Sequence, residues 1–171
     1  MITEMSAQQV IGCLDLEPLA GEGGFFKQSF KSKTSVSVVD GIGAPMVRYT
    51  LTAIYYLITP ESFSSLHRLP FDEVFHFYCG DAVEMVQYTE AGGAKKHLIG
   101  NNLNIGQRPQ VAVPASVWQG SRLVAGGQWA LLGTTVAPGF EFEDLELFQK
   151  AQLDSLPEPA ASLLRPFLPT L

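Results

Sequence analysis

The sequence predicts a mainly β fold, a jelly-roll barrel of antiparallel strands with a short helix before it and a helical tail after it. Short runs rich in β-branched and aromatic residues recur between about residues 25 and 136, with Gly, Pro and Asp between them. No helical pattern separates these runs, which argues against a parallel sheet with crossover helices. A chain of 171 residues suits one core and one domain, here 1–171, with a helix near 6–16, the barrel core near 22–140 and the tail near 143–171.

The helix is signalled by Ser6 with Gln9 three residues on, a capping box, followed by Val10, Ile11 and Leu14 at helical spacing; it ends by Pro18. Gly21-Glu22-Gly23-Gly24 makes the first break. Strands are then expected near Phe25–Phe30, Val47–Thr59, Ser62–Leu66, Glu73–Tyr78, Val83–Tyr88, Lys95–Ile99, Gln110–Val113, Val117–Val124 and Trp129–Val136. Gly80-Asp81, Ala91-Gly92-Gly93 and Gly126-Gly127 supply the positive φ angles that tight hairpins need. Leu51–Ile58 is apolar on both alternating faces and should be covered on both, one of them by a partner in a homodimer. After Pro138-Gly139, residues Glu143–Leu153 read as helical, with Leu145, Phe148 and Leu153 as the buried stripe. Prolines at 157, 159, 166 and 169 exclude a long helix beyond it, and the tail is expected to pack loosely.

Composition narrows the function. Lys and Arg number 11 against 17 Asp and Glu, a net charge of −6 without a basic stripe, so nucleic acid is not an expected partner. No window approaches the roughly 18 consecutive apolar residues of a membrane span. The first residues lack the basic flank and apolar run of a secretory signal, so a cytoplasmic location is expected. Cys13 and Cys79 read as reduced core thiols rather than a disulfide or zinc ligands. No P-loop, dinucleotide fingerprint or nucleophile elbow is present. Arg48, Arg108 and Arg122 read as solvated surface residues that are available to an anion.

Ser64 to Gly80 is the segment richest in chemistry. Strand alternation puts Ser65 and His67 on one face and Glu73, Phe75 and Phe77 on one face of the next strand, so that His67 and Glu73 converge inside the barrel among aromatic rings if Pro70-Phe71-Asp72 turns the chain. An imidazole beside a carboxylate serves as a proton-transfer pair or as two ligands of a divalent metal. His76 has the opposite parity from Glu73 and ranks below His67 as a site residue.

This segment resembles the first motif of the cupin superfamily, a His-x-His pair ahead of a Glu and a Gly. Glu73 and Gly80 match its second half, His67 stands one residue further from Glu73 than the motif asks, and Ser65 occupies the place of the earlier histidine. In the second cupin motif, Pro114-Ala115-Ser116-Val117-Trp118-Gln119 puts Gln119 where the third histidine stands. Several further segments are similar to the fifth cupin family, a domain of unknown function: Glu22–Lys27, Thr52–Leu57, His67-Arg68, Asp72–His76, Arg108–Val111 and Val136–Phe140. Together they span nearly the whole chain. The resemblance implies a jelly-roll barrel that dimerises, and it looks distantly like the epimerases of nucleotide-linked sugars, where a histidine takes a proton next to a carbonyl. Ser65-Leu66-His67-Arg68 is similar to that histidine's setting.

On this reading the ligand is a small polar molecule, a sugar with or without a linked nucleotide, and the activity is that of a sugar epimerase or isomerase. His67 is the base and Glu73 orients its ring. Gln119 or Arg68 binds the oxyanion, Phe75 and Phe77 form walls, and Glu22 grips the ligand from its glycine loop. Ser65 and Tyr55 complete the binding residues; Tyr55 and Tyr56 lie on opposite strand faces, so one of them reaches the cavity. No cofactor is expected. One alternative is a metal-dependent oxygenase or isomerase with His67, Glu73 and Gln119 as ligands, although one nitrogen and two oxygens hold a transition metal less well than three imidazoles. Another is a binding or storage-like protein without catalysis.

Overall fold

The capping box forms as read: Gln9 N donates to Ser6 Oγ at 3.3 Å and Ser6 N to Gln9 Oε1 at 2.8 Å, opening α1 (Ala7–Cys13). The computed structural model describes residues 2–39 and 45–168; Pro169 and the end of the tail lie outside the described residues. The strands are β1 (Glu17–Pro18), β2 (Phe25–Lys31), β3 (Ser35–Val39), β4 (Pro45–Tyr49), β5 (Thr52–Ile58), β6 (Ser64–Arg68), β7 (Asp72–Gly80), β8 (Val83–Thr89), β9 (Gly93–Ile99), β10 (Gln110–Val113), β11 (Trp118–Leu123), β12 (Ala130–Ala137) and β13 (Glu146–Leu147). Two helices follow, α2 (Lys150–Asp154) and α3 (Glu158–Leu164).

Two antiparallel sheets, β1-β2-β5-β12-β7-β10 and β13-β6-β11-β8-β9, make the jelly roll, and β3 pairs with β4 in a separate ribbon. The inner faces of the two sheets meet in one core that includes Tyr56, Ile58, Phe75, Met85, Ile99 and Leu132. The outer face of the first sheet is covered around Leu57, Cys79 and Leu131 by Val10 of α1 and Leu16. That of the second is covered by the C-terminal segment, whose Leu153, Ala161, Leu164 and Phe167 pack on Leu66, Val86, Tyr88 and Trp118.

The structure corrects several expectations. The Val47–Thr59 run is two strands in different sheets, broken at Thr50-Leu51, and β3 went unread although Val36 and Val38 alternate with Ser35 and Ser37; it is largely exposed and joins neither main sheet. The Ser62–Leu66 strand runs instead over Ser64–Arg68. Glu143–Leu153 is not one helix: a 3-10 turn (Phe142–Asp144) and β13 precede α2, because Glu146 and Leu147 pair with Arg68 and His67 across the sheet edge. The tail is not loose, since Leu164 and Phe167 have no exposed surface. Cys13 is exposed and only Cys79 is buried. Arg48 is not a solvated surface residue but is buried against Glu143 and Asp144, at 2.7 and 2.8 Å. Leu57 is covered from within the chain, not by a partner.

Candidate functional site

β6 and β7 do not pair with each other; they belong to opposite sheets, and residues 69–71 carry the chain from one to the other. The inward faces of the two sheets thereby bring His67 and Glu73 together from opposite walls. His67 is 2% exposed and stands directly opposite Gln119 in the β6–β11 register. Its Nδ1 lies 2.8 Å from the carbonyl oxygen of Ser65. A carbonyl only accepts, so the ring proton sits on Nδ1 and the Nε2 lone pair is free to accept. Gln119 Nε2 approaches that nitrogen at 3.3 Å and donates to Glu73 Oε2 at 2.5 Å. Burial pushes the Glu73 carboxyl above its ordinary range, with His67 opposing the shift and Glu22 adding to it.

A second carboxylate arrives from the glycine loop between β1 and β2. Glu22 accepts from Ser64 Oγ at 2.8 Å through Oε1, and its Oε2 is 3.8 Å from His67 Nε2. The loop is tightly specified. Gly23 and Gly24 have φ of +99° and +73°, and a Cβ on them would meet the Phe63 carbonyl and the Tyr56 ring. Tyr56 is fully buried and donates to Gly23 O at 2.9 Å; burial, with Glu22 adding, holds its phenol well above the usual range.

These groups close the inner end of a cavity of about 60 Å³ with mostly apolar walls, among them Leu19, Phe26, Ile54, Leu69, Phe140 and Phe142. The three phenyl rings meet edge to face, Phe26 with Phe142 at 6.1 Å and Phe140 with Phe142 at 5.3 Å between centroids. Thr52, Thr134 and Gln28 add polar atoms.

Of the residues expected here, His67, Glu73, Gln119 and Glu22 come together. Ser65 does not present its hydroxyl. Gln119 pairs with His67 while Ser121 pairs with Ser64, so β6 holds one extra residue, and this bulge turns Ser64 inward in place of Ser65. Tyr55 faces outward, edge-on to Tyr78 at 6.2 Å, and Tyr56 is the inward tyrosine. Arg68 points outward, paired with Glu146 at 2.7 Å and stacked 4.4 Å over Trp118, so it cannot serve an oxyanion beside His67. Phe75 and Phe77 belong to the barrel core and do not line the cavity. Glu73 does not orient the imidazole; the Ser65 carbonyl does. His76 bonds Thr135 and Gln110 away from the site, in keeping with its lower rank. The aromatic mouth was missed, although Phe26 and Phe140 lie in segments already noted, because apolar residues near turns carry no chemical signal of their own.

Residues 8–148 match the family model described as Cupin superfamily (DUF985). The chain is a cupin of that family. Two solved structures are similar over nearly their full length. A hypothetical protein from Leishmania major is 28% identical at a TM-score of 0.85, covering 96% of this chain and 99% of its own. A protein from Shewanella oneidensis is 29% identical at a TM-score of 0.83, covering 96% and 98%. A variant of oxalate decarboxylase from Bacillus subtilis aligns at 12% identity and a TM-score of 0.52, over 88% of this chain and 35% of its own, a likeness of fold alone. No curated protein matches the chain.

Cupins commonly carry a metal, and the donor set here does not fit one. No group of three His, Cys, Asp or Glu is arranged to hold an ion among the described residues. Gln119 turns its amide nitrogen, which cannot ligate, toward both His67 and Glu73, while its oxygen is buried without a partner.

Proposed function

We propose that this cupin binds a small polar carbonyl compound, a sugar or a molecule of similar size, and acts as an epimerase or isomerase with His67 as the base. The observation that carries the reading is the fixed tautomer of His67, whose Nδ1–H is engaged by the Ser65 carbonyl so that Nε2 is a basic lone pair at a water-poor cavity. In the step, Nε2 takes a proton from the carbon next to the carbonyl as the C–H electron pair forms a carbon–carbon double bond and the carbonyl π pair moves to oxygen. Glu73, its carboxyl pushed toward the protonated form by burial, donates a hydrogen bond to that oxygen. Return of the His67 proton to the neighbouring carbon, with a hydroxyl proton passing to the enolate oxygen, gives an isomer; an epimer takes a proton from solvent on the other face of the same carbon, His67 releasing its own to solvent. Tyr56 is ill placed to supply it, since its hydroxyl is committed to Gly23. A cavity of about 60 Å³ takes a head group, so any linked nucleotide stays outside.

Incubation in D2O with a panel of aldoses, ketoses and hydroxyketones, followed by proton NMR, tests the reading. Loss of a C–H signal next to the carbonyl is expected, slowed about 10²–10⁴-fold by His67→Asn. Equal exchange in the two proteins rejects His67 as the base. The largely apolar walls favour a second reading, ligand binding without turnover, and binding with no exchange of any bound compound supports it.

We further propose that the protein is a cytoplasmic homodimer. Separate thiols at Cys13 and Cys79 suit a reducing compartment. The exposed Tyr55 and Tyr78 offer an aromatic patch to a second copy.

A further inference from the structure

We infer that residues 141–145 form a flap over the cavity and that Arg48 is the positioning residue that holds it shut. Taking this cavity as the site is all that is borrowed from the reading above; the flap bears on access, not on proton transfer. Phe142 is 60% exposed and also lines the cavity, so the 3-10 turn that carries it is part of the boundary between the cavity and solvent. On either side of the turn the backbone is fixed to the barrel: Phe140 N donates to Thr52 Oγ1 at 2.9 Å, and Glu146 pairs with Arg68 in β13. Between these points, among the described residues, the main chain bonds only within the segment. Asp144 N donates to Glu141 O at 2.9 Å, Leu145 N to Phe142 O at 3.3 Å and Glu141 N to Asp144 Oδ2 at 3.1 Å. Side chains therefore hold the turn to the rest of the molecule.

Those side chains converge on two cations. Lys31 of β2 takes Glu141 at 2.7 Å, a partly exposed pair that is weak on its own. Arg48 of β4 takes Asp144 with both prongs, Nε to Oδ2 at 3.2 Å and Nη2 to Oδ1 at 2.8 Å, and it takes Glu143 at 2.7 Å. The Arg48 and Asp144 side chains are 7% and 5% exposed, so this fork is shielded from water and is the strong attachment. Arg48 stands on the β3–β4 ribbon, which joins neither main sheet, and residues 141–145 belong to no strand. Release of the fork thus breaks no pairing of the barrel, which is what a flap requires. Opening also has a reason and a route. A cavity of about 60 Å³ is well below the roughly 300 Å³ at which small-molecule sites begin. Leu69 lines both this cavity and a cleft of about 530 Å³ whose walls include Glu143, Asp144 and Leu145, so displacing the turn joins the two spaces.

Acylation by diethyl pyrocarbonate, followed by mass spectrometry of tryptic peptides, reads the flap, because His67, His76 and His97 fall in separate peptides. Arg48→Met should speed the modification of His67 at least about tenfold and leave His76 and His97 within about twofold of the parent. Asp144→Asn loosens the fork from the other side, leaves Arg48 paired with Glu143, and should speed His67 in the same selective way. Phe142→Ala, at an exposed side chain, should speed it too, and Arg48→Met added to that variant should gain less than it gains alone, since both act on one flap. An unchanged His67 rate in Arg48→Met and Asp144→Asn overturns the inference. So does an equal rise at all three histidines, which would make Arg48 a support of the whole barrel, and so does full additivity with Phe142→Ala. The selective pattern in a protein that exchanges no substrate proton leaves the flap standing while the proton-transfer reading falls.

Discussion

Gln119 gives one amide nitrogen to both His67 and Glu73, which ties the two walls of the site together. Glu73 is the group whose titration bears on stability. Its folded carboxyl lies above the value it has in the unfolded chain, so its contribution is fully present below the unfolded value and is lost as pH rises through the folded one. Glutamine at this position keeps an oxygen for Gln119 and carries no charge. Glu73→Gln should thus be more stable than the parent at pH 7, with the gap narrowing as pH falls below the folded carboxyl's range. Urea unfolding across that interval checks it, and a gap that widens toward acid contradicts the assignment. Sequence reasoning found His67, Glu73, Glu22 and Gln119 because titratable and amide side chains at motif spacing advertise themselves. It erred on Tyr55, where the choice between two neighbours depended on which face each turns, and composition does not decide that.

At the scale of elements, β6 explains the other error. Alternation is a sound rule for a regular strand, but one extra residue resets it, and nothing in Ser64-Ser65-Leu66 marks the bulge. The bulge has a measurable signature. Ser64→Ala removes the donor to Glu22 and should cost about 1–2 kcal/mol. Ser65→Ala should lie within about 0.5 kcal/mol of the parent, because Ser65 acts through its main-chain carbonyl. Equal losses in chemical denaturation would mean that the strand is regular. The capping box of α1 was read correctly since it is a contract between residues three apart. The helix over 143–153 was read wrongly since β13 forms only through distant partners on β6, which override local propensity.

For the whole molecule, an antiparallel sandwich or barrel followed from punctuation and run length, and the jelly roll from these together with the family likeness, whereas the strand order did not. Pairings such as β12 with β5 and β7 join segments far apart in the chain, and no local pattern encodes them. The proposed homodimer belongs to this scale. Light scattering on the eluted protein at micromolar concentration should give twice the mass of the 18.6 kDa chain, and a mass of one chain would reject it.

The C-terminal segment closes the outer face of the second sheet directly behind the site. Leu66, whose neighbour is His67, is covered by residues that begin at Phe148, where the family match ends. A gene fragment trimmed to the matched residues would shed Leu153, Leu164 and Phe167 and bare Val86, Tyr88 and Trp118. Such a fragment should be recovered as an aggregate, and its silence in any assay would report on a missing lid of hydrocarbon rather than on an inert catalyst.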